Sequence, residues 1–150
     1  MRRVHRCAIV PYSAADMFAL VADIESYSKF LPWCTRGRVE QDAAGIQSGD
    51  VQTVIARLEL SQGGLTGHFT TRNRVEPPRK ITMQLVEGSF SELEGVWEIE
   101  SLGDEGCKLE LTMGFAFSNP LKEMVLGAVF EKSCNQLVDA FVDRAKDVYG

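Results

Sequence analysis

The sequence predicts an α+β fold in which a curved antiparallel sheet closes around a long C-terminal helix. Three observations predict it. Residues 35–117 carry six runs of period-two alternation separated by short turns, so neighbouring strands lie antiparallel. Asn119-Pro120 then opens a segment of helical period that continues to Tyr149. A further strand-like run and two short helical stretches precede the first of the six.

Residues 4–10 form the first strand, which Pro11 stops. Ser13 stands as an N-cap with Asp16 three residues on, and Met17, Leu20, Val21 and Ile24 follow at helical spacing. A second short helix over 24–30, capped by Ser26, ends before Pro32. Strands follow over 35–43, 50–60, 64–76, 80–87, 92–102 and 106–117. Ala44-Gly45, Gln62-Gly63-Gly64, Pro77-Pro78, Gly88-Ser89 and Gly103-Asp104-Glu105-Gly106 supply the turns. Gly63, Gly64 and Gly67 read as a hairpin turn with a bulge, because no Lys-Ser/Thr pair completes a phosphate loop. In 50–60 the alternation is mixed, with Val54, Ala56 and Leu58 competing against Val51 and Ile55 for the inner face.

Parity assigns the other faces. Leu65, Phe69 and Val75 point one way, and His68, Thr70, Arg72 and Arg74 the other. Ile81, Met83 and Leu85 share a face. Leu93, Trp97 and Ile99 point in while Glu92, Glu94, Glu98 and Glu100 point out. Leu109, Leu111, Met113, Phe115 and Phe117 make one apolar row. This is a sheet with one dry and one wet face. A cross-strand ladder between Arg72/Arg74 and the glutamate row is expected on the wet side.

The terminal helix covers the dry face. Leu121, Met124, Val125, Ala128, Cys134, Leu137, Val138, Phe141, Ala145 and Val148 trace its stripe. Leu126, Val129 and Phe130 widen the first half, which is therefore buried on several sides or faces a ligand or partner. Gly127 costs ~1 kcal/mol against alanine inside a helix. Close backbone approach or a kink would explain it.

The 150 residues fit a single domain spanning 1–150. A net charge of −5 weakens generic nucleic-acid binding, so direct DNA binding is not expected. Cys7, Cys34, Cys107 and Cys134 form no CxxC pair and have no histidine at ligand spacing, so they read as reduced thiols in a cytoplasmic protein. No run approaches the ~18 apolar residues of a membrane span.

Catalytic and metal-binding candidates are sparse, and none is assigned. His68 lies on the polar face of its strand and His5 near the terminus. Ser61, Ser89, Ser91 and Ser133 have no GxSxG context. The aromatic and methionine positions carry more. Parity and the helix stripe give an apolar tunnel lined by Phe30, Leu31, Trp33, Leu65, Phe69, Met83, Leu85, Phe90, Trp97, Met113, Phe115, Phe117, Leu126, Gly127 and Phe130. Phe30-Leu31-Pro32-Trp33 reads as an exposed apolar loop at an entrance.

Several segments carry a resemblance. Val10-Pro11-Tyr12-Ser13, Met17-Phe18, Val21-Ala22-Asp23, Tyr27 and Phe30-Leu31-Pro32-Trp33-Cys34 open the chain. Phe69-Thr70-Thr71-Arg72-Asn73, Glu76-Pro77-Pro78, Met83–Gly88 and Leu93-Glu94-Gly95-Val96-Trp97 follow. Phe115–Asn119, Leu126-Gly127 and Leu137–Phe141 complete the set. Together they resemble the coenzyme Q-binding START-like proteins, a group that includes the RatA ribosome-association toxins. The resemblance implies a helix-grip (START-like, Bet v 1-like) fold of the polyketide cyclase/dehydrase and lipid-transport superfamily. It implies a tunnel for ubiquinone or a related isoprenoid lipid, serving respiration or quinone biosynthesis. It separately implies binding to the large ribosomal subunit that blocks subunit joining. It supplies no catalytic set and no cofactor beyond a bound lipid.

Non-enzymatic binding of a hydrophobic ligand is the reading the residues support first, with transient membrane-surface contact for ligand exchange. Ribosome association is the alternative, through Lys29, Arg36, Arg38, Arg72 and Arg74. An aromatic cyclase or dehydratase stands third, because the inward rows offer almost no polar group.

Overall fold

The computed structural model describes residues 1–42, 51–62 and 64–150, with the side chains of Gln41, Asp42, Gln62 and Leu65 outside that description. The elements are β1 (Arg2–Val10), α1 (Ala14–Ala22), a 3₁₀ helix (Ile24–Lys29), β2 (Cys34–Asp42), β3 (Gln52–Gln62), β4 (Leu65–Glu76), β5 (Lys80–Gly88), β6 (Phe90–Ser101), β7 (Cys107–Phe117), α2 (Pro120–Asn135) and α3 (Leu137–Tyr149). The strands form one antiparallel sheet in the order β1-β7-β6-β5-β4-β3-β2. The expected α+β fold, a sheet wrapped on C-terminal helices, is what the chain adopts. The Ala44-Gly45 turn and Gly63 lie outside the described residues.

Local chemistry explains the helix ends. Ser13 Oγ accepts from Asp16 N at 3.1 Å and starts α1. Asn119 Oδ1 accepts from Leu121 N at 2.8 Å, with Pro120 in the first turn of α2. The second short helix expected over 24–30 is a 3₁₀ helix over Ile24–Lys29. Ser26 lies inside it, donating to Asp23 Oδ2 at 2.6 Å, and does not cap it. Its backbone presses on β2 at Gly37, where a Cβ would sit 2.1 Å from the Ile24 carbonyl oxygen.

The single terminal helix resolves into two. Gln136 N donates to Ser133 O at 3.1 Å, a three-residue bond that tightens the last turn of α2 before α3 begins. The break has a packing cause. α2 leans on β1 and β7, whereas α3 must also meet α1. Leu126, Gly127, Phe130, Ser133 and Cys134 are the buried residues of α2, so the stripe is narrower than its sequence suggests. Leu121, Met124, Val125 and Val148 are exposed.

The sheet parity follows the sequence in β4, β6 and β7, where Phe69, Val75, Leu93, Trp97, Ile99 and the whole Leu109–Phe117 row are buried. In β3 the competition is settled for Val54, Ala56 and Leu58. Register runs unbroken from Gln52↔Val75 to Gln62↔Leu65, so no bulge arises at Gly67. Register shifts fall instead at Cys34/Arg36, Val39/Gln41, Thr70/Thr71 and Phe90/Glu92, the last turning Phe90 inward before Leu93.

The expected ladder between arginines and glutamates does not form. Arg72 is in register with Gln84, and Gln84 with Glu94, so β5 stands between the two charged rows. Two strand spacings are about 10 Å, the screening length at ordinary salt. Arg74 instead pairs with Glu76 on its own strand at 3.7 Å.

Candidate functional site

The concave side of the sheet is filled unevenly. At the end where α2 begins, Phe130 meets Trp33, Phe69, Phe90, Phe115 and Phe117 at ring-centroid distances of 4.9 to 6.5 Å. Edge-to-face contacts predominate, the preferred aromatic geometry. This cluster fills one end of the space between sheet and α2.

Room remains further along the sheet. A cleft of about 260 Å³ lies under α1 and the 3₁₀ helix, bounded by Phe18, Val21, Tyr27, Val39, Val54, Asn73, Val75, Pro77, Ile81, Met83 and Trp97. An inner cavity of about 50 Å³ adjoins it, sharing Ile24, Tyr27, Asn73, Met83 and Trp97. Small inward residues make this room. Val54 and Ala56 on β3 face Asn73 and Thr71 on β4 in register.

The inner cavity lies between the sheet and the terminal helices, where Phe130, Cys134, Leu137 and Phe141 border it, and the cleft extends from it toward α1. Trp33, Phe69, Met83, Trp97, Met113 and Phe130 line the inner cavity. Phe90, Phe115 and Phe117 belong to the packed cluster. Leu126 is buried on α2, Leu85 is half-buried on β5, and neither lines these two spaces. Leu65 is outside the described side chains. The Phe30–Trp33 segment is not an exposed loop. Leu31 and Trp33 are buried, and Cys34 N donates to Leu31 O at 3.0 Å to fold it inward. Phe30 packs edge-on against Phe141 at 5.1 Å beneath the Arg144 guanidinium.

Gly127 faces neither space. A Cβ there would lie 2.3 Å from Arg2 Nε. Arg2 crosses α2 at this point, with Nε 2.9 Å from Glu123 and Nη1 3.2 Å from Glu131. Glu123 also accepts from Phe117 N at 3.1 Å. The glycine makes room for an ion-pair clamp that ties β1 and β7 to α2.

The sequence reading missed the polar side chains of the interior. Thr71 and Asn73 are buried at inward positions of β4, and Thr71 Oγ1 donates to Asn73 Oδ1 at 2.7 Å. Their parity with Phe69 and Val75 was the available signal. Tyr27 donates its hydroxyl to the Val21 carbonyl, and burial pushes its pKa upward. The described residues lining the cleft and cavity include no carboxylate, histidine or amine. His68 lies on the outer face, 4.0 Å from Glu87, and His5 pairs with Glu110.

The outer face of β2–β4 forms a second feature. Arg38 is directly opposite Arg57, and Arg57 is opposite Thr70, one step from Arg72. Arg74 follows two residues on. The structure thus gathers Arg36, Arg38, Arg72 and Arg74 on one face and adds Arg57, while Lys29 ends the 3₁₀ helix on the other side of β2. Arg57 Nε is buried without a partner. Its Nη1 is 3.9 Å from Glu87, and Arg38 is 2.9 Å from Glu40.

A sheet wrapped on C-terminal helices over an apolar cleft defines a class, and the family comparison agrees. The chain belongs to the polyketide cyclase/dehydrase and lipid transport family, whose profile matches residues 10–142. It is similar to the ribosome association toxin RatA of Pseudomonas aeruginosa, at 39% identity over 98% of this chain and 97% of that one. It is also similar to the mitochondrial coenzyme Q-binding protein COQ10 homolog B of Xenopus laevis, at 26% identity over 95% of this chain and 57% of that one. Among solved structures, the Zhui aromatase/cyclase from Streptomyces sp. R1128 shares the fold, with a TM-score of 0.79 and 20% identity over 97% of this chain and 93% of that one. No helix among the described residues is long and apolar enough to cross a membrane.

Proposed function

We propose that residues 1–150 act as one ribosome-associating domain whose outer β2–β4 face reads ribosomal RNA. The observation that carries this is the Arg38–Arg57 pair. Two arginines directly opposite on a ladder repel each other. An anionic surface laid across them, and across Arg72 and Arg74, relieves that repulsion and engages the half-buried Arg57 guanidinium. The glutamate row on β6 then keeps the rest of the sheet off the phosphates. The full-length similarity to a ribosome association toxin supports the reading. The activity is binding and not catalysis, exerted on the large subunit in the cytoplasm. Sedimentation of the purified chain with separated ribosomal subunits tests it. Comigration with the large subunit is expected; a chain that stays at the top of every gradient refutes it.

A second reading is supported by the apolar cleft. A small hydrophobic guest fits there, since an apolar cavity of ~150 Å³ suffices for benzene. Drug-sized ligands usually occupy ~300–1,000 Å³. The cleft of about 260 Å³ is below that range, so a long isoprenoid tail requires side chains to move.

A further inference from the structure

Asn73 is 4% exposed, yet it lines both the cleft and the inner cavity. It sits mid-strand on the inner face of β4, in register with Val54 on β3 and Met83 on β5. Its neighbours of the same parity, apart from Thr71, are apolar at Phe69 and Val75. An amide among such groups is costly unless its donors and acceptor are bonded. Half of that requirement is met. The Thr71 hydroxyl donates to Asn73 Oδ1 at 2.7 Å and fixes the amide's orientation. The two Nδ2 hydrogens have no protein acceptor among the described residues, and the side chain borders open space.

We infer that Asn73 is a ligand anchor, donating from Nδ2 to the single carbonyl oxygen of a ring-sized apolar ketone seated in the cleft. The inference rests on the second reading above and names the chemistry of its guest. The carbonyl oxygen lies at the junction of cleft and cavity. The hydrocarbon rings extend toward Ile81, Met83 and Trp97, where burial drives binding and no polar contact is needed. Discrimination then comes from one donor. A guest lacking the oxygen leaves the amide unsatisfied, as an unoccupied buried donor always disfavours binding.

Titration calorimetry with 1-tetralone and tetralin tests this on the intact chain. The two share a bicyclic skeleton and differ by one carbonyl. Asn73→Leu should weaken 1-tetralone about tenfold and leave tetralin unchanged or slightly tighter, the size of effect expected for one buried hydrogen bond. Thr71→Val, which frees the amide to rotate, should weaken 1-tetralone by a smaller factor and spare tetralin. Thermal melts establish that both variants fold, and either variant alone carries the test. Equal changes for ketone and hydrocarbon in both variants overturn the anchor while the apolar cleft stands. Failure of both compounds to bind the native chain overturns the anchor and the ligand reading together.

Discussion

The basic face can be measured through its salt dependence. On the proposed reading, Arg38, Arg57, Arg72 and Arg74, which share the outer face of β2–β4, each contact one phosphate. Each contact contributes about 0.7 to the slope of log K against log salt, so four give a slope near −2.8. Raising salt from about 50 to 200 mM should then weaken association roughly 50-fold. Replacing Arg72 and Arg74 by serine removes two contacts, leaving a slope of about −1.4 and roughly a sevenfold loss over the same range. Both arginines are exposed, and Arg72 faces neutral Gln84, so the substitutions should move stability by no more than ~0.5 kcal/mol. Pelleting with ribosomes across a salt series reads the slope directly. A double variant that melts like the native chain and keeps its slope would refute the assignment of this face.

Phe130→Ala should cost about 3–5 kcal/mol, lowering Tm by roughly 6–20 °C, because the ring is buried against five aromatic partners. Benzene should raise the variant's Tm again by filling the enlarged cavity; a loss under ~1 kcal/mol would show α2 unseated from the sheet. Gly127→Ala should gain little in the native background, since the new Cβ displaces Arg2. In an Arg2→Ala background it should stabilise by ~1 kcal/mol, the helix preference alone, and equal effects in both backgrounds would dissolve the clamp. Burial raises the thiol pKa of Cys34, Cys107 and Cys134 above the ordinary 9.0. The unfolded chain then holds fewer protons than the folded one above about pH 9, so stability should fall as pH rises through that point. Denaturant melts at pH 7, 9 and 10 check the sign, and a flat profile contradicts it. A thiol reagent at pH 8 should modify exposed Cys7 quickly and the other three only after unfolding.

Much of the fold was legible because period two and period 3.6 are unmistakable in long elements. The Leu109–Phe117 row and the outward glutamates of β6 needed no tertiary information. The break at Gln136 was hidden because neither glycine nor proline marks it; it follows from α3 having to meet α1. The ladder of arginines and glutamates failed because sequence shows parity and not neighbours, and β5 intervenes. Arg57 escaped notice because Val51 and Ile55 obscured the outer parity of β3. The site was the least legible part. Aromatic residues mark where space is enclosed, but Phe90, Phe115 and Phe117 fill it while Trp33, Phe69, Trp97 and Phe130 border what is left. The remaining room is set by short side chains, Val54, Ala56 and Thr71, which composition does not flag. Gly127 drew attention correctly, but its neighbour, Arg2, lies more than a hundred positions away.

That separation also shapes how the molecule is made. β1 pairs with β7, Arg2 opposite Phe115, and α2 then locks over the joint through Glu123 and Glu131. A chain emerging from its N-terminus must therefore carry its first strand unpaired until β7 has been made. Such non-local closure is slow, and a waiting strand edge invites wrong partners. The charges of Arg2, Arg3 and Arg6 discourage those partners in the meantime. The sheet gains its edge strand only once β7 has been made, although the residues that line the cleft, Phe18 to Trp97, all precede it.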